Sequence, residues 1–242
     1  MKKSVKVGKT TSWKMDVAVW INNKVFPRLG INGILISTML HKKRKKFVYE
    51  SADYVRLSSL ELVAEVIYEN KIGGSVAELG VFRGDFARYI NLAFPDRKLY
   101  LFDTFEGFSE KDIMVEEEIR GGEVTGLHDF SSIDIDIVLN KMKYRENCIV
   151  KKGYFPETAS DVDDTFAFVS IDTDLFEPIY NGLVFFYPRL KQGGYIFVHD
   201  VVDFPLYSGA KLAVKKFCQE NDVSYFPLSD ICGTAVIIKP AI

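Results

Sequence analysis

From residue 51 onward, short apolar runs alternate with longer stretches of helical spacing. The runs SVAEL (75–79), KLYLF (98–102), NCIVKKG (147–153), TFAFVSID (165–172) and GGYIFVHD (193–200) are short and rich in β-branched or aromatic residues, so each predicts a strand. Between them, DFARYINLAF (85–94), SSIDIDIVLNKM (131–142), EPIYNGLVFFYPRL (177–190) and the amphipathic GAKLAVKKFCQEN (209–221) predict helices. Ahead of the first strand, Ser58 and Glu61 have capping-box spacing and Leu57 and Leu62 stand where a hydrophobic staple would, which predicts a helix starting near Leu60. Glu116 to Gly126 reads as a long loop. The last two runs, VSYFPL and GTAVIIK, are too close for a crossover helix and are expected to pair antiparallel. This alternation predicts an α/β domain over 51–242, a doubly wound seven-stranded sheet that is mostly parallel and ends in an antiparallel hairpin.

Residues 1–50 stand outside that scheme. They read as an N-terminal arm, basic and partly apolar, either helical over the site or packed in a homo-oligomer. Charge sharpens the division. Residues 1–46 hold twelve Lys and Arg against one acid, net +11, while the remaining 19 basic and 32 acidic residues give −13. The cluster Lys42, Lys43, Arg44, Lys45, Lys46 is the kind of segment that contacts an anionic membrane surface. The acidic body and the lack of a recognition motif argue against nucleic acid. Three widely spaced cysteines without a CxxC pair predict neither disulfides nor a zinc knuckle, which fits a cytoplasmic location. No signal-peptide core is apparent, and the longest apolar stretch is about twelve residues, against roughly 20 for a spanning helix. Cytoplasmic with peripheral membrane contact is therefore the expectation.

Ligands of open α/β sheets lie beyond the carboxyl ends of the strands. Four of the five expected parallel strands end in acids: Glu78, Asp103, Asp172 and Asp200. A strand-end Asp is often only a helix cap, but four at one rim point to a site. The first turn, AELGVFRGDF, has Gly80 and Gly84 rather than GxGxxG. This disfavours a nicotinamide dinucleotide and suits a cationic donor without a pyrophosphate, such as S-adenosylmethionine. Asp103 is placed to accept from ribose hydroxyls. Asp172 is expected to face the site as metal ligand or base, and Asp174 to cap the next helix or orient its turn. Tyr54 and Arg56 read as lid residues ahead of the first helix.

The blocks VAELGVFRGDFARYI, LYLFDTFEGF, KGYFPET and SIDTDLFEPIYNGLVFFYPRLKQGGYIFVHD, in this order over about 53–239, resemble the macrocin O-methyltransferase (TylF/MycF/NovP-like) family. The resemblance implies a Rossmann-like class I methyltransferase fold, S-adenosyl-L-methionine as donor and a hydroxyl of a sugar or glycosylated small molecule as acceptor. It implies that Glu78, Gly80, Gly84, Asp103 and Thr104 line the donor site, with Ser132 near the adenine. It also implies a divalent metal, commonly magnesium, on Asp172 and an Asp pair at the end of the next strand. That pair is here His199–Asp200: magnesium stays the expected ion, with manganese as the alternative since imidazole binds manganese or iron better, or else His199 is a general base in a metal-independent reaction. Asp203 is a replacement ligand candidate. A non-catalytic donor-binding or membrane-scaffold protein is the alternative outside enzymology.

Overall fold

The computed structural model describes residues 17, 20–25, 27–29, 53–124, 130, 132–202 and 208–240. The chain divides into two units, Met1–Val48 and Tyr49–Ile242. In the first, the described residues form a π-helical turn, Ile21–Val25, and a 3-10 turn, Pro27–Leu29, with Trp20 and Leu29 exposed. The Lys42–Lys46 cluster and Asp203 lie outside the described residues. No helix among the described residues is long and apolar enough to cross a membrane.

The second unit carries seven strands: β1 Ser75–Leu79, β2 Leu99–Asp103, β3 Cys148–Lys152, β4 Phe166–Ile171, β5 Leu190–Val198, β6 Tyr225–Leu228 and β7 Thr234–Ile238. They form one sheet in the order β3-β2-β1-β4-β5-β7-β6, parallel except for β7, which runs antiparallel to both β5 and β6. This is the expected class I methyltransferase architecture. Every residue of β1 and β4 is buried, as continuous apolar runs in a sheet covered on both faces require. A register irregularity between Phe166 and Phe168 interrupts the alternation of β4, so Phe166 packs against Phe186 while Phe168 packs against Phe94 and Phe197, with ring centroids 5.1, 5.8 and 5.1 Å apart. Because the chain goes outward from β1 to β3 and returns at β4, the crevice between the ends of β1 and β4 is the topological switch point.

Among the described residues six α-helices accompany the sheet: α1 Tyr54–Glu69, α2 Ala87–Ala93, α3 Glu110–Arg120, α4 Ile135–Asn140, α5 Phe176–Arg189 and α6 Gly209–Asn221. Two differ from expectation. Helix α1 starts six residues early, capped by Asp53, whose side chain accepts from the Arg56 amide. Ser58 is therefore interior, its hydroxyl donating to the Val55 carbonyl, and the Ser58–Glu61 spacing is a buried polar pair rather than a capping box. Helix α3 occupies much of the expected loop. Its run of glutamates hides any apolar stripe, yet its ends are marked: Ser109 caps the Lys111 amide and Gly121 takes a left-handed φ of +68°.

Helix α3 also supplies a tie on which two other helices depend. The Glu116 side chain, fully buried, accepts from the Phe176 amide at the start of α5 (3.2 Å) and from the Ser208 and Gly209 amides at the start of α6 (both 2.9 Å). One carboxylate thus satisfies orphan donors of two helix N-termini and complements both dipoles. Gly209 is required by this approach, since a Cβ there would collide with Glu116 Oε2. Glu116→Ala is expected to lower stability by about 3 kcal/mol, with Glu116→Gln losing less, as read by urea unfolding.

Candidate active site

Backbone pairing continues one residue past the strand ends. The amides of Gly80, Asp172 and His199 donate to the carbonyls of Phe102 (2.9 Å), Leu79 (2.8 Å) and Ile171 (2.9 Å). With Leu79 opposite Ile171 and Ile171 opposite Val198, the register places Gly80, Asp172 and His199 side by side at one rim. Gly80 has φ +86°, and a Cβ on it would sit 2.6 Å from the Asp172 carbonyl carbon and closer still to its oxygen. Only glycine permits that approach. Asp174 and Asp200 both take φ +62°, a left-handed conformation that Asp tolerates better than most residues.

Above this rim lies a cavity of about 570 Å³, within the roughly 300–1,000 Å³ usual for small-molecule sites. Glu78, Gly80, Asp103, Thr104, Asp172, His199 and Asp200 line it. Asp103 accepts from the Phe82 amide (2.7 Å) and the Phe105 amide (2.6 Å), so the acid at the end of β2 also shapes the turn after β1. Thr104 is spent largely on its own turn, donating to the Gly107 carbonyl at 2.7 Å. Two expected donor-site residues do not line the cavity. Gly84, at φ +75°, is a packing glycine whose Cβ would strike Val138 of α4, and Ser132 is exposed. Phe82 and Phe108 meet Phe130 edge to face at 5.0 and 5.1 Å, and these three rings form an aromatic side of the cavity that the strand-end reading did not anticipate.

The acids are not equivalent. Glu78 is 1% exposed and its Oε2 has no hydrogen-bond partner; burial pushes its carboxyl well above the usual range, against the opposing pull of Arg56. A buried acid of this kind, facing a cavity, is where a cationic ligand gains most. The residues present therefore fit S-adenosylmethionine.

Arg56 is not a lid residue. It is on α1, 4% exposed, and its guanidinium lies 3.8 Å from the Phe86 ring centroid. Its Nη1 donates to Asp172 Oδ2 (2.9 Å) and its Nη2 to Ser170 Oγ (3.1 Å). His199 Nδ1 lies 3.2 Å from Asp172 Oδ1 and 3.2 Å from Asp200 Oδ2, while its Nε2 faces Asp230 Oδ2 at 3.9 Å. Burial raises the Asp172 pKa, but the Arg56 and His199 charges outweigh it and hold the carboxyl far below the usual range. Burial likewise disfavours charge on His199, yet Asp172, with hydrogen bonds to Asp172 and Asp200, pushes it up to about 10. The imidazole Nδ1 is thus engaged by two carboxylates rather than free. Asp174 does not cap α5, whose N-cap is Leu175; it turns to Asp200, and burial with the neighbouring Asp200 and Asp172 charges raises its pKa strongly.

The metal expectation meets a mixed answer. Ligand atoms of Asp172, His199 and Asp200 all lie within 4.8 Å of one another, a spacing that suits an ion. Their bonding state does not. A coordinating nitrogen offers a lone pair, whereas Nδ1 shared by two carboxylates carries a proton, and the two Asp172 oxygens already face the Arg56 guanidinium and the His199 ring nitrogen. Magnesium, which prefers oxygen donors, does not fit this set.

On the opposite wall, Tyr154 donates to Asp112 Oδ1 at 2.8 Å, and both line the cavity. Asp112 comes from the first turn of α3, a helix the sequence reading did not predict. Its position in the first turn of a marked helix was the available signal. For Arg56 the signal was a charged residue on the apolar stripe Arg56, Leu60, Ala64, Ile67.

Comparison with known proteins follows the same lines. The family model described as macrocin-O-methyltransferase (TylF) matches residues 42–239. The chain is 28% identical over 182 residues to the demethyldecarbamoylnovobiocin O-methyltransferase of Streptomyces niveus, covering 70% of this chain and 67% of that one. It is 26% identical over 191 residues to the 8-demethyl-8-(2,3-dimethoxy-alpha-L-rhamnosyl)-tetracenomycin-C 4'-O-methyltransferase of Streptomyces olivaceus, covering 75% and 71%. The solved O-methyltransferase NovP shares the fold with a TM-score of 0.61 at 20% identity, over 77% of this chain and 80% of that one.

Two outcomes are expected. Gly80→Ala should destabilise by about 3 kcal/mol and lower the melting temperature by on the order of 10 °C, because both its φ and its neighbour exclude a side chain. His199 has its folded pKa raised from 6.5 to about 10, so its contribution to stability is full below pH 6.5 and is lost as pH rises through about 10. Urea unfolding of the wild type and His199→Asn across that range should show a gap that closes on the alkaline side.

Proposed function

Because the chain belongs to the macrocin-O-methyltransferase (TylF) family and is an S-adenosylmethionine-dependent O-methyltransferase, we propose that it methylates a sugar hydroxyl of a glycosylated small molecule. The observation that carries this reading is a single cavity holding the unpartnered Glu78 carboxyl at one strand end and the Asp172–His199–Asp200 cluster at the next two. The sugar acceptor is supported by the name of one relative, whose substrate carries a rhamnosyl group.

When bound, S-adenosylmethionine supplies an electrophilic methyl on sulfur; the acceptor oxygen bonds to that carbon as the carbon–sulfur bond breaks, and sulfur keeps the electron pair. The protein's part is to hold oxygen, carbon and sulfur in line and to take the hydroxyl proton. Glu78 and the aromatic side formed by Phe82, Phe108 and Phe130 receive the donor. Asp172, His199 and Asp200 receive the acceptor oxygen. Since Nδ1, 3.2 Å from both carboxylates, already carries a proton, the proton leaving the hydroxyl passes to a carboxylate oxygen of Asp172 or Asp200. Asp112 and Tyr154, on the facing wall, have the hydrogen-bonding capacity to orient neighbouring sugar hydroxyls.

Calorimetric titration should show S-adenosylmethionine binding and no NAD binding. Asp172→Asn, which keeps an acceptor for Arg56, should leave donor affinity within about threefold and lower kcat by roughly 10²–10⁴. Unchanged kcat in this variant would remove Asp172 from the reaction; absence of donor binding in the wild type would end the methyl-transfer reading.

A further inference from the structure

The two carboxylates at the cavity floor need positive charge close by, because buried like charges disfavour each other's ionisation. Arg56 provides it, and a second side chain, His199, bridges the two acids. Arg56 Nη1 is 2.9 Å from Asp172 Oδ2, and the guanidinium is fixed from behind by Ser170 Oγ and by the Phe86 ring. His199 Nδ1 is 3.2 Å from the remaining Asp172 oxygen and 3.2 Å from Asp200 Oδ2. Each Asp172 oxygen thus has its own nitrogen partner, and the imidazole edge occupies the position between the two acids that an ion bridging them would take.

We propose that this centre works without a metal ion: the Arg56 guanidinium supplies the positive charge beside Asp172, and the His199 ring nitrogen, seated between Asp172 and Asp200, joins the two acids and orders them for the acceptor. The inference deepens the methyl-transfer reading and rests on it for the acceptor. Arg56 acts as a positioning residue, held out of water on α1 and charged at every working pH. His199 sets the spacing of the two acids. A cation built into the fold cannot be chelated away. Its loss by mutation should be repaired only where the substitution leaves oxygen donors for an ion to join.

The test uses the full chain. Purified protein dialysed against EDTA is assayed for metal content, and its melting temperature and S-adenosylmethionine affinity are compared in EDTA, Mg²⁺ and Mn²⁺. Well under one ion per chain and no change among the three conditions are expected. His199→Asp replaces the imidazole with a third carboxylate and creates an all-oxygen set. Its melting temperature should fall in EDTA and rise again with Mg²⁺ or Mn²⁺, by the mass action of an ion that binds only the folded state. Should the variant not fold in EDTA, refolding with Mn²⁺ present reads the same repair. A stoichiometric ion in the wild type, or donor binding that EDTA abolishes and metal restores, overturns the proposal. So does a His199→Asp variant that neither metal stabilises. Failure of the wild type to bind S-adenosylmethionine in all three conditions strikes the methyl-transfer reading instead and leaves the metal result intact.

Discussion

Parallel pairing that runs one residue beyond the ends of β1, β4 and β5 is the constraint on which the site depends. It aligns Gly80, Asp172 and His199 through the Asp172 amide on the Leu79 carbonyl and the His199 amide on the Ile171 carbonyl. Gly80 allows the two turns to touch. A one-residue slip in this register would turn Asp172 into the opposite face of the sheet, where α helices pack against phenylalanine. Catalytic geometry is thus a property of the sheet first and of the side chains second.

What the register brings together is electrostatically costly, and the fold offsets that cost unevenly. Asp172 is paired by Arg56 and His199, whose charges outweigh its burial. Glu78 has less compensation, and its carboxyl stays well above the usual range. Asp174 is similarly raised beside Asp200. The centre is therefore poised rather than relaxed: a paired acid at the floor, and acids around it whose ionisation improves when a cationic ligand arrives. Away from the rim, Glu116 shows the opposite use of a buried acid, with three backbone amides meeting it and two helix starts fixed by it.

The strands were legible because buried parallel strands read as uninterrupted apolar runs, and β4 is buried at every residue. The strand-end acids were legible for the same reason, since charge following such a run has to lie at a rim. Helix α3 was not, because its core-facing residues include Asp112 and Glu116, acids buried by tertiary hydrogen bonds that no periodicity reports. Ser58 and Glu61 misled in the converse way, a surface-type capping pattern lying on a buried face. Arg56 was misplaced because its pairing with Asp172 spans 116 residues of sequence, and a single chain gives no sign of which distant acid a lone arginine will meet. His199 was rightly placed at the rim, but its role as donor follows from two carboxylates converging on one nitrogen, which only the folded chain discloses.

The most direct test of the account is to supply the enzyme with S-adenosylmethionine labelled with ¹³C in its methyl group and with a panel of deoxysugar glycosides, and to locate the label in the product by long-range carbon–proton correlation. The account predicts an O-methyl carbon coupled to a proton on a sugar ring. Label on an aglycone oxygen, on nitrogen, or on none of the glycosides while the donor is bound would contradict it.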